Sequence, residues 1–340
     1  MLKIVTFYFY SKFFFFMHLF KSDTIKPMRS LLQTKEWALF KKKFGWSFKE
    51  VKGVFILKRK LPFQKEILYS PEVWLEPKTA PQVVRALVDY AQEQRNAIFY
   101  TLEILNPHDE CPFNPHEYGF RPSFEDYQPR WRQIVPLTSS KEEIFAQMKP
   151  LGRRNIRIAE KKGVITRIHD DLMFLEEDSK IFYELMQETA KRHHFAIRKT
   201  DYFRELISLL YENNYGFLVT ASFNDKPLAS LIISVYDKIA SFLYGASTET
   251  EKERMANYAT QYAAMLEAKK RGAKVYDLLA ISPPGWPKSS LATKYAGITR
   301  FKENFGGYKE AISGAFDLVL KPRLYKAYRY LEILRRGQVS

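Results

Sequence analysis

The run RFKENFGG (residues 300–307) sets one lysine, Lys302, between Phe301 and Phe305 and ahead of the pair Gly306-Gly307. A lysine ammonium fixed in a water-poor cleft can stabilise the oxyanion that develops when an ester carbonyl is attacked. The double glycine permits unusual φ and a close backbone approach to a ligand, although a plain turn has the same composition. Arg198 and Tyr202 lie four residues apart. They share a face if both are helical, whereas Arg198 lies just before the helix if Thr200 caps it. An arginine suits bidentate recognition of phosphate or carboxylate. Arg153, Arg154, Arg157 and Lys161 recur at helical spacing and form a basic face. Such a face either contacts phosphates or is simply solvated. Glu103 ends an apolar run and is a candidate carboxylate at a cleft or a strand-end charge. No obvious general base emerges.

Metal chemistry has little support. Cys111 is the single cysteine, so no disulfide forms within one chain. His108, Cys111 and His116 are close in sequence but lack a fourth ligand. His193 and His194 are adjacent and point to different sides of a helix. No cofactor is implied, and no GxxxxGK[ST] phosphate loop occurs.

Charge is the strongest compositional signal. Lys plus Arg number 54 and Asp plus Glu 38, a net of +16 over 340 residues. That excess favours a polyanionic partner, either nucleic acid, an anionic membrane surface or a phosphorylated metabolite. Hydrophobic residues make up 46%, enough for a sizeable core. Residues 4–20 are nearly all apolar or aromatic, interrupted by Ser11, Lys12 and His18. The run is short for a membrane span, and no small-residue cleavage site follows. An anchor or signal is one reading. A mis-assigned start, with Met17 or Met28 as initiator and order beginning near Ser30, is the reading adopted here.

The elements that must position these residues follow from periodicity. Helices are expected over residues 33–44, 80–94, 152–162, 172–192, 200–212 and 251–271, with Ser139 and Ser140 capping a further one at KEEIFAQMK. Thr200/Asp201 is expected to cap the 200–212 helix. Strand character marks VKGVFILKRKLP, KEILYSP, AIFYTLEIL, residues 131–137, VITRI, GFLVTASF, PLASLIISVY, KIASFLYGAS, KVYDLLAI and AFDLVL. Asn224-Asp225 and Asp237-Lys238 mark hairpin turns. A Pro-Gly loop covers residues 282–287, and a basic helix, RLYKAYRYLEILRR, closes the chain. In that helix Arg323, Lys326, Arg329, Arg335 and Arg336 form a second basic patch. The order predicts an α/β (α+β) fold of two tandem GNAT-like acyltransferase domains, with mixed sheets flanked by helices and no coiled-coil arm. Residues 1–29 form an apolar extension, residues 30–145 plus 316–340 a first domain, and residues 146–315 a second.

Four stretches resemble the FemABX family of peptidoglycan-bridge aminoacyltransferases. They are LQTKEWALFKKKFGW, LGRRNIRIAEKKGV, YGASTETEKERMANYATQYAAMLEAKKRGAKVYDLLAI and FKENFGGYKEAISGAFDL. The resemblance covers roughly residues 30 to 335. It implies transfer of an amino acid from aminoacyl-tRNA, a co-substrate, to the stem-peptide amine of a nucleotide-linked or lipid-linked peptidoglycan precursor. It implies a cytoplasmic enzyme, a monomer, that makes peripheral contact with the inner membrane face. By resemblance Lys302 serves the oxyanion and Phe301 shapes the pocket for the tRNA end. Arg198, Tyr202 and Tyr244 hold the precursor's diphosphate and peptide. Lys41, four residues after Trp37, matches the family's precursor-binding lysine, with Lys42 or Lys43 as alternatives of register. Arg153, Arg154, Arg157 and Lys161 would face the tRNA backbone. Where the family often has Asp-x-x-Gly, this chain has Asp277-Leu278-Leu279-Ala280. Two other readings compete. One is an acyl-CoA N-acyltransferase, which usually carries a Gln/Arg-x-x-Gly-x-Gly/Ala turn that is absent here. The other is a non-catalytic basic protein that binds RNA or a membrane surface.

Overall fold

A computed structural model describes residues 29–283 and 290–337. The apolar N-terminal extension, most of the Pro-Gly loop and the side chain of Arg336 lie outside the described residues. In chain order the helices are α1 (Lys35–Lys43), α2 (Ala80–Glu93), α3 (Lys141–Ala146), α4 (Pro150–Lys161), α5 (Leu175–His193), α6 (Thr200–Glu212), α7 (Ala256–Lys270), α8 (Ser290–Glu303) and α9 (Pro322–Gly337). The strands are β1 (Trp46–Val51), β2 (Val54–Lys60), β3 (Glu66–Val73), β4 (Ala97–Pro107), β5 (Phe120–Pro122), β6 (Trp131–Pro136), β7 (Ile165–His169), β8 (Gly216–Phe223), β9 (Lys226–Tyr236), β10 (Ile239–Ser247), β11 (Val275–Ala280) and β12 (Tyr308–Val319).

The strands form one mixed sheet in the order β1-β2-β3-β4-β12-β6-β11-β10-β9-β8-β7, with β5 on β12. The expected α/β fold, a mixed sheet flanked by helices, is present, and its two halves share a strand. Residues Tyr308–Ala311 of β12 pair with β6, and Ile312–Val319 pair with β4. The strand changes partner at a bulge between Ile312 and Gly314, where Gly314 adopts φ +87°.

Helices cover both faces of the second half. On one face α3, α4 and α7 enclose a core of Phe217, Ile233, Tyr276 and Phe305. On the other, α5 and α6 lie flat on the sheet, with Phe182, Phe203, Leu206 and Leu218 buried beneath them. Helix α1 joins this second core through Phe40, whose ring stands 5.1 Å from Tyr202. Just before α1, Gln33 accepts from the Phe55 N–H at 2.9 Å and donates to the Pro71 carbonyl at 2.7 Å. The N-terminal segment thus straps β2 and β3 of the first half to α6 of the second.

Local signals explain most element starts. Thr34 caps α1 by accepting from Trp37 N–H, and Ser140 forms a full capping box with Glu143 on α3. Asn224 and Asp225 both adopt positive φ in the β8–β9 turn, as a tight hairpin requires. Three expectations need correction. Lys199 precedes α6 without any side-chain cap, so Thr200 and Asp201 are already helical. Helix α7 starts at Ala256, because Glu251 and Met255 take left-handed conformations around a 3-10 turn. The β-rich stretch VKGVFILKRKLP holds the end of β1, a turn at Lys52-Gly53 and β2, so most of β1 lies before it.

Candidate functional site

A groove of about 390 Å³ opens on the α1/α6 face where the two halves meet. That size suits a ligand of moderate bulk. Lys41, Arg198, Tyr202 and Tyr244, widely spread in sequence, all line it. Helix α1 supplies Lys41, whose ammonium stands 5.2 Å from the Trp46 ring and 5.9 Å from the Tyr202 ring. Burial, with Arg198 and Arg59 nearby, lowers the Lys41 pKa to about 8. The Arg198 guanidinium lies 5.3 Å from the same Tyr202 ring. Of the alternatives of register, Lys43 pairs with Glu205, and neither it nor Lys42 is in the groove wall. Tyr202 therefore serves both readings, as a core residue and as the aromatic platform between two cations.

The opposite end of the groove is acidic. Asp277 and Glu72 flank Arg132, which donates to both, to Asp277 at 2.9 Å. Ser30 donates to Glu72 at 2.5 Å. All three charged groups are buried. Burial opposes the Arg132 charge, yet Glu72 and Asp277 outweigh it and hold its pKa above the usual value. Glu310 of β12 lines the same wall, and burial pushes its pKa up to about 7, helped by Asp277. The Trp74 indole N–H also belongs to a groove-lining residue and has no partner among the described residues. The groove is bipolar, with cations near α1 and carboxyls near β12. Glu310, Trp74 and the Arg132 cluster escaped the sequence reading, because isolated polar residues on strands give no periodic signal.

Glu103 is not in the groove wall. It is 1% exposed, accepts from Tyr69 Oη at 2.5 Å and from Gln128 N–H at 2.8 Å, and so anchors the loop before β6. Burial raises its pKa to about 7.

Lys302 approaches from the other face. It occupies the last turn of α8, a helix in a stretch to which periodicity assigns no element. Its ammonium donates to the Ala280 carbonyl of β11 at 2.7 Å and lies 5.7 Å from the Phe242 ring of β10. It is 3% exposed, and burial lowers its pKa to about 8, with Asp277 acting against that fall. Strands β10 and β11 pair only from Ile239↔Val275 to Ser241↔Asp277 and then part. Ala280 and Phe242 lie beyond that point, so Lys302 stands where the sheet opens. Asp277, Leu279 and Tyr244 from the same parted strands reach the groove. Lys302 is not in the groove wall itself. It faces the gap from behind. Phe301 packs beside it against Tyr258 at 5.1 Å and Phe305 at 5.1 Å.

The basic face of α4 flanks this aromatic cluster. Arg154, Arg157 and Lys161 are exposed, and Arg157 lies 5.3 Å from the Phe145 ring. Arg153 departs from the expected face, because its guanidinium donates to the Ala146 carbonyl at 2.9 Å and to that of Met148, tying down the end of α3. Among the described residues no group of three or more His, Cys, Asp and Glu is placed to hold a metal ion. His108 instead contacts Arg130 at 2.9 Å, and the Cys111 thiol donates to the Phe113 carbonyl.

The chain is 23% identical to the lipid II:glycine glycyltransferase of Staphylococcus epidermidis, over 88% of this chain and 90% of the relative. It is 24% identical to the protein of that name in Staphylococcus aureus, with the same coverage. The crystal structure of FemX superposes with a TM-score of 0.75 at 20% identity, covering 88% of this chain and 95% of that one. The structure of L-PGS from Bacillus licheniformis shares the fold more distantly, with a TM-score of 0.55 at 14% identity over 82% and 84% of the two chains. The FemAB family matches residues 116–226 and 217–333, well over half of the sequence, and the chain belongs to that family.

Proposed function

We propose that this FemAB-family transferase moves an aminoacyl group from aminoacyl-tRNA to the side-chain amine of a peptidoglycan stem peptide. The carrying observation is the placement of a bipolar groove and a buried lysine on opposite sides of one opening in the sheet. The relatives named for glycine transfer to lipid II support the reaction class.

In this reading the precursor lies in the groove. Lys41 and Arg198 take its diphosphate, and the acidic end near Glu310 receives the acceptor amine. The aminoacyl ester enters from the α4/α7 face, beside Phe301, with the tRNA backbone along Arg154, Arg157 and Lys161. The amine nitrogen attacks the ester carbonyl through the opening. An amide bond forms, the ester C–O bond to the ribose breaks, and the amine's proton passes through water to the released hydroxyl. The Lys302 ammonium stabilises the oxyanion between these events. The ester is already activated, so no nucleotide hydrolysis is needed. We place the enzyme in the cytoplasm, where charged tRNA is found.

The test is a mass measurement on purified protein with a nucleotide-linked or lipid-linked pentapeptide precursor. One arm adds charged tRNA and the other adds an acyl-CoA. A mass gain of one or more amino-acid residues with charged tRNA alone is expected. A product from acyl-CoA only would overturn the donor assignment.

A further inference from the structure

We propose that α9 and the neighbouring β2–β3 turn form a docking surface for an anionic lipid bilayer. This goes beyond the transfer reaction and does not depend on it.

The inner side of α9 is anchored by aromatic packing. Tyr325 and Tyr328 stand 5.1 and 5.3 Å from the Phe99 ring of β4. The outer side of its last turns is apolar. Tyr330 and Leu331 are each 63% exposed, Ile333 55% and Leu334 46%. Exposed apolar residues scattered singly are ordinary, but a contiguous group on one helix marks a surface meant to be covered.

The charged residues of the helix are mostly basic. Helix α9 contains five basic residues, Arg323, Lys326, Arg329, Arg335 and Arg336, against one acidic residue, Glu332. Of the four whose side chains are described, all are exposed, and Arg335 alone forms an ion pair among the described residues.

The β2–β3 turn provides a second, separate observation. Phe63 at its tip is 91% exposed, the highest value among the large hydrophobic residues described. Phe63 and Gln64 both take positive φ, so the turn holds the ring outward. Arg59 and Lys60 precede it and are exposed. Leu61, two residues before Phe63, packs in the same cluster as Tyr325 and Tyr328. The turn therefore sits beside α9.

The chemistry selects the occupant. An RNA strand could stack on Tyr330 or Phe63, but aliphatic Leu331, Ile333 and Leu334, most of the exposed apolar group on α9, offer it no partner. A second copy would set one strongly basic helix against another, within a chain of net charge +16. An anionic bilayer complements both features. Aliphatic and aromatic side chains enter the headgroup boundary while Lys and Arg remain at phosphate level.

The experiment uses the full chain and needs no catalysis. Co-sedimentation is measured with vesicles of phosphatidylcholine alone and with vesicles of equal phosphatidylcholine and phosphatidylglycerol. Binding to the mixed vesicles should be about tenfold or more tighter, because each interfacial cation adds attraction. The double variant Leu331→Glu/Ile333→Glu should lower that binding about tenfold, with an unchanged circular dichroism spectrum and Tm. Phe63→Ser should weaken it several-fold. No binding, equal binding to neutral vesicles, or full binding by the double variant would overturn the proposal. Sedimentation velocity and a tRNA gel shift on the same variants complete the test. A dimer lost in the double variant, or RNA binding lost in parallel, would overturn it in favour of that partner.

Discussion

Lys302, to which the proposed reaction gives the oxyanion, is held at a cost in stability. Its pKa is about 8 in the fold and 10.5 as a free side chain, so the unfolded chain holds the proton more tightly. The folded state bears this penalty in full below about pH 8 and loses it as pH rises through 10.5. Its size is about 3 kcal/mol. Lys302→Met removes it and gives up one hydrogen bond to Ala280, worth about 1 kcal/mol. The variant should therefore be more stable at neutral pH by about 1–2 kcal/mol in urea unfolding. Turnover should fall about 100- to 1000-fold while precursor affinity is kept. A variant that loses both activity and stability would point to a structural lysine instead. Glu310 has the opposite sign of shift. Its pKa rises from 4.5 to about 7, so the folded state holds this proton more tightly. The penalty is absent below about pH 4.5, grows to pH 7 and is complete above it. Glu310→Gln should stabilise by about 1–3 kcal/mol at pH 8 and leave stability at pH 4.5 unchanged. An equal effect at both pH values would show that the gain is packing, not charge.

At the scale of elements, the turn between α8 and β12 decides where Lys302 points. Gly307 adopts φ +75°, and a Cβ there would lie 1.9 Å from the Ile134 carbonyl oxygen of β6. On α4, a Cβ on Gly152 would lie 2.3 Å from the Asn304 carbonyl oxygen. These two positions let β6 and α4 close on the end of α8. Gly307→Ala combines backbone strain with a clash against main chain, and should cost about 2–4 kcal/mol or prevent soluble expression. A Tm within a degree or two of the parent would refute the close packing. The double glycine could be read from sequence, but the reason for it could not, because Gly306 meets Gln147 and Gly307 meets Ile134, both far away in the chain. The same limit explains the other gaps. Helices with clear periodicity, such as α2 and α6, match their expected spans closely. Helix α8 follows a Pro-Gly loop and carries a mixed pattern, so periodicity assigns it no element. Strand β12 was recognised only at its apolar end, AFDLVL, because its first residues alternate weakly and bulge at Gly314. Within the candidate site, Lys41, Arg198, Tyr202 and Tyr244 were reached through family resemblance, and the fold brings them into one groove. Glu103 lies within β4 rather than at its end, and the sequence does not say which face its side chain takes.

The whole molecule depends on how tightly the two halves are joined at the floor of the groove. Strand β12 passes from one half to the other, and the segment around Gln33 binds the first half while Phe40 enters the core of the second. Arg132 is the polar counterpart of these links. It lies on β6, reaches Glu72 of β3 in the first half and Asp277 of β11 in the second, and donates to the Pro129 carbonyl at 2.9 Å. Glu72 has φ +44°, and Leu279, two residues after Asp277, has φ +55°. The ion triad thus fixes two strained bends that shape the acidic end of the groove. A buried triad of this kind need not stabilise more than an apolar replacement would, but breaking it leaves uncompensated charge. Arg132→Met should therefore cost about 3–5 kcal/mol in urea unfolding. Adding Glu72→Gln and Asp277→Asn should recover most of that loss, because no charge is then left unpaired. The recovered protein would still lack the clamp across the halves. Its precursor affinity should stay reduced although its stability returns, and full recovery of both would mean that the triad serves folding alone.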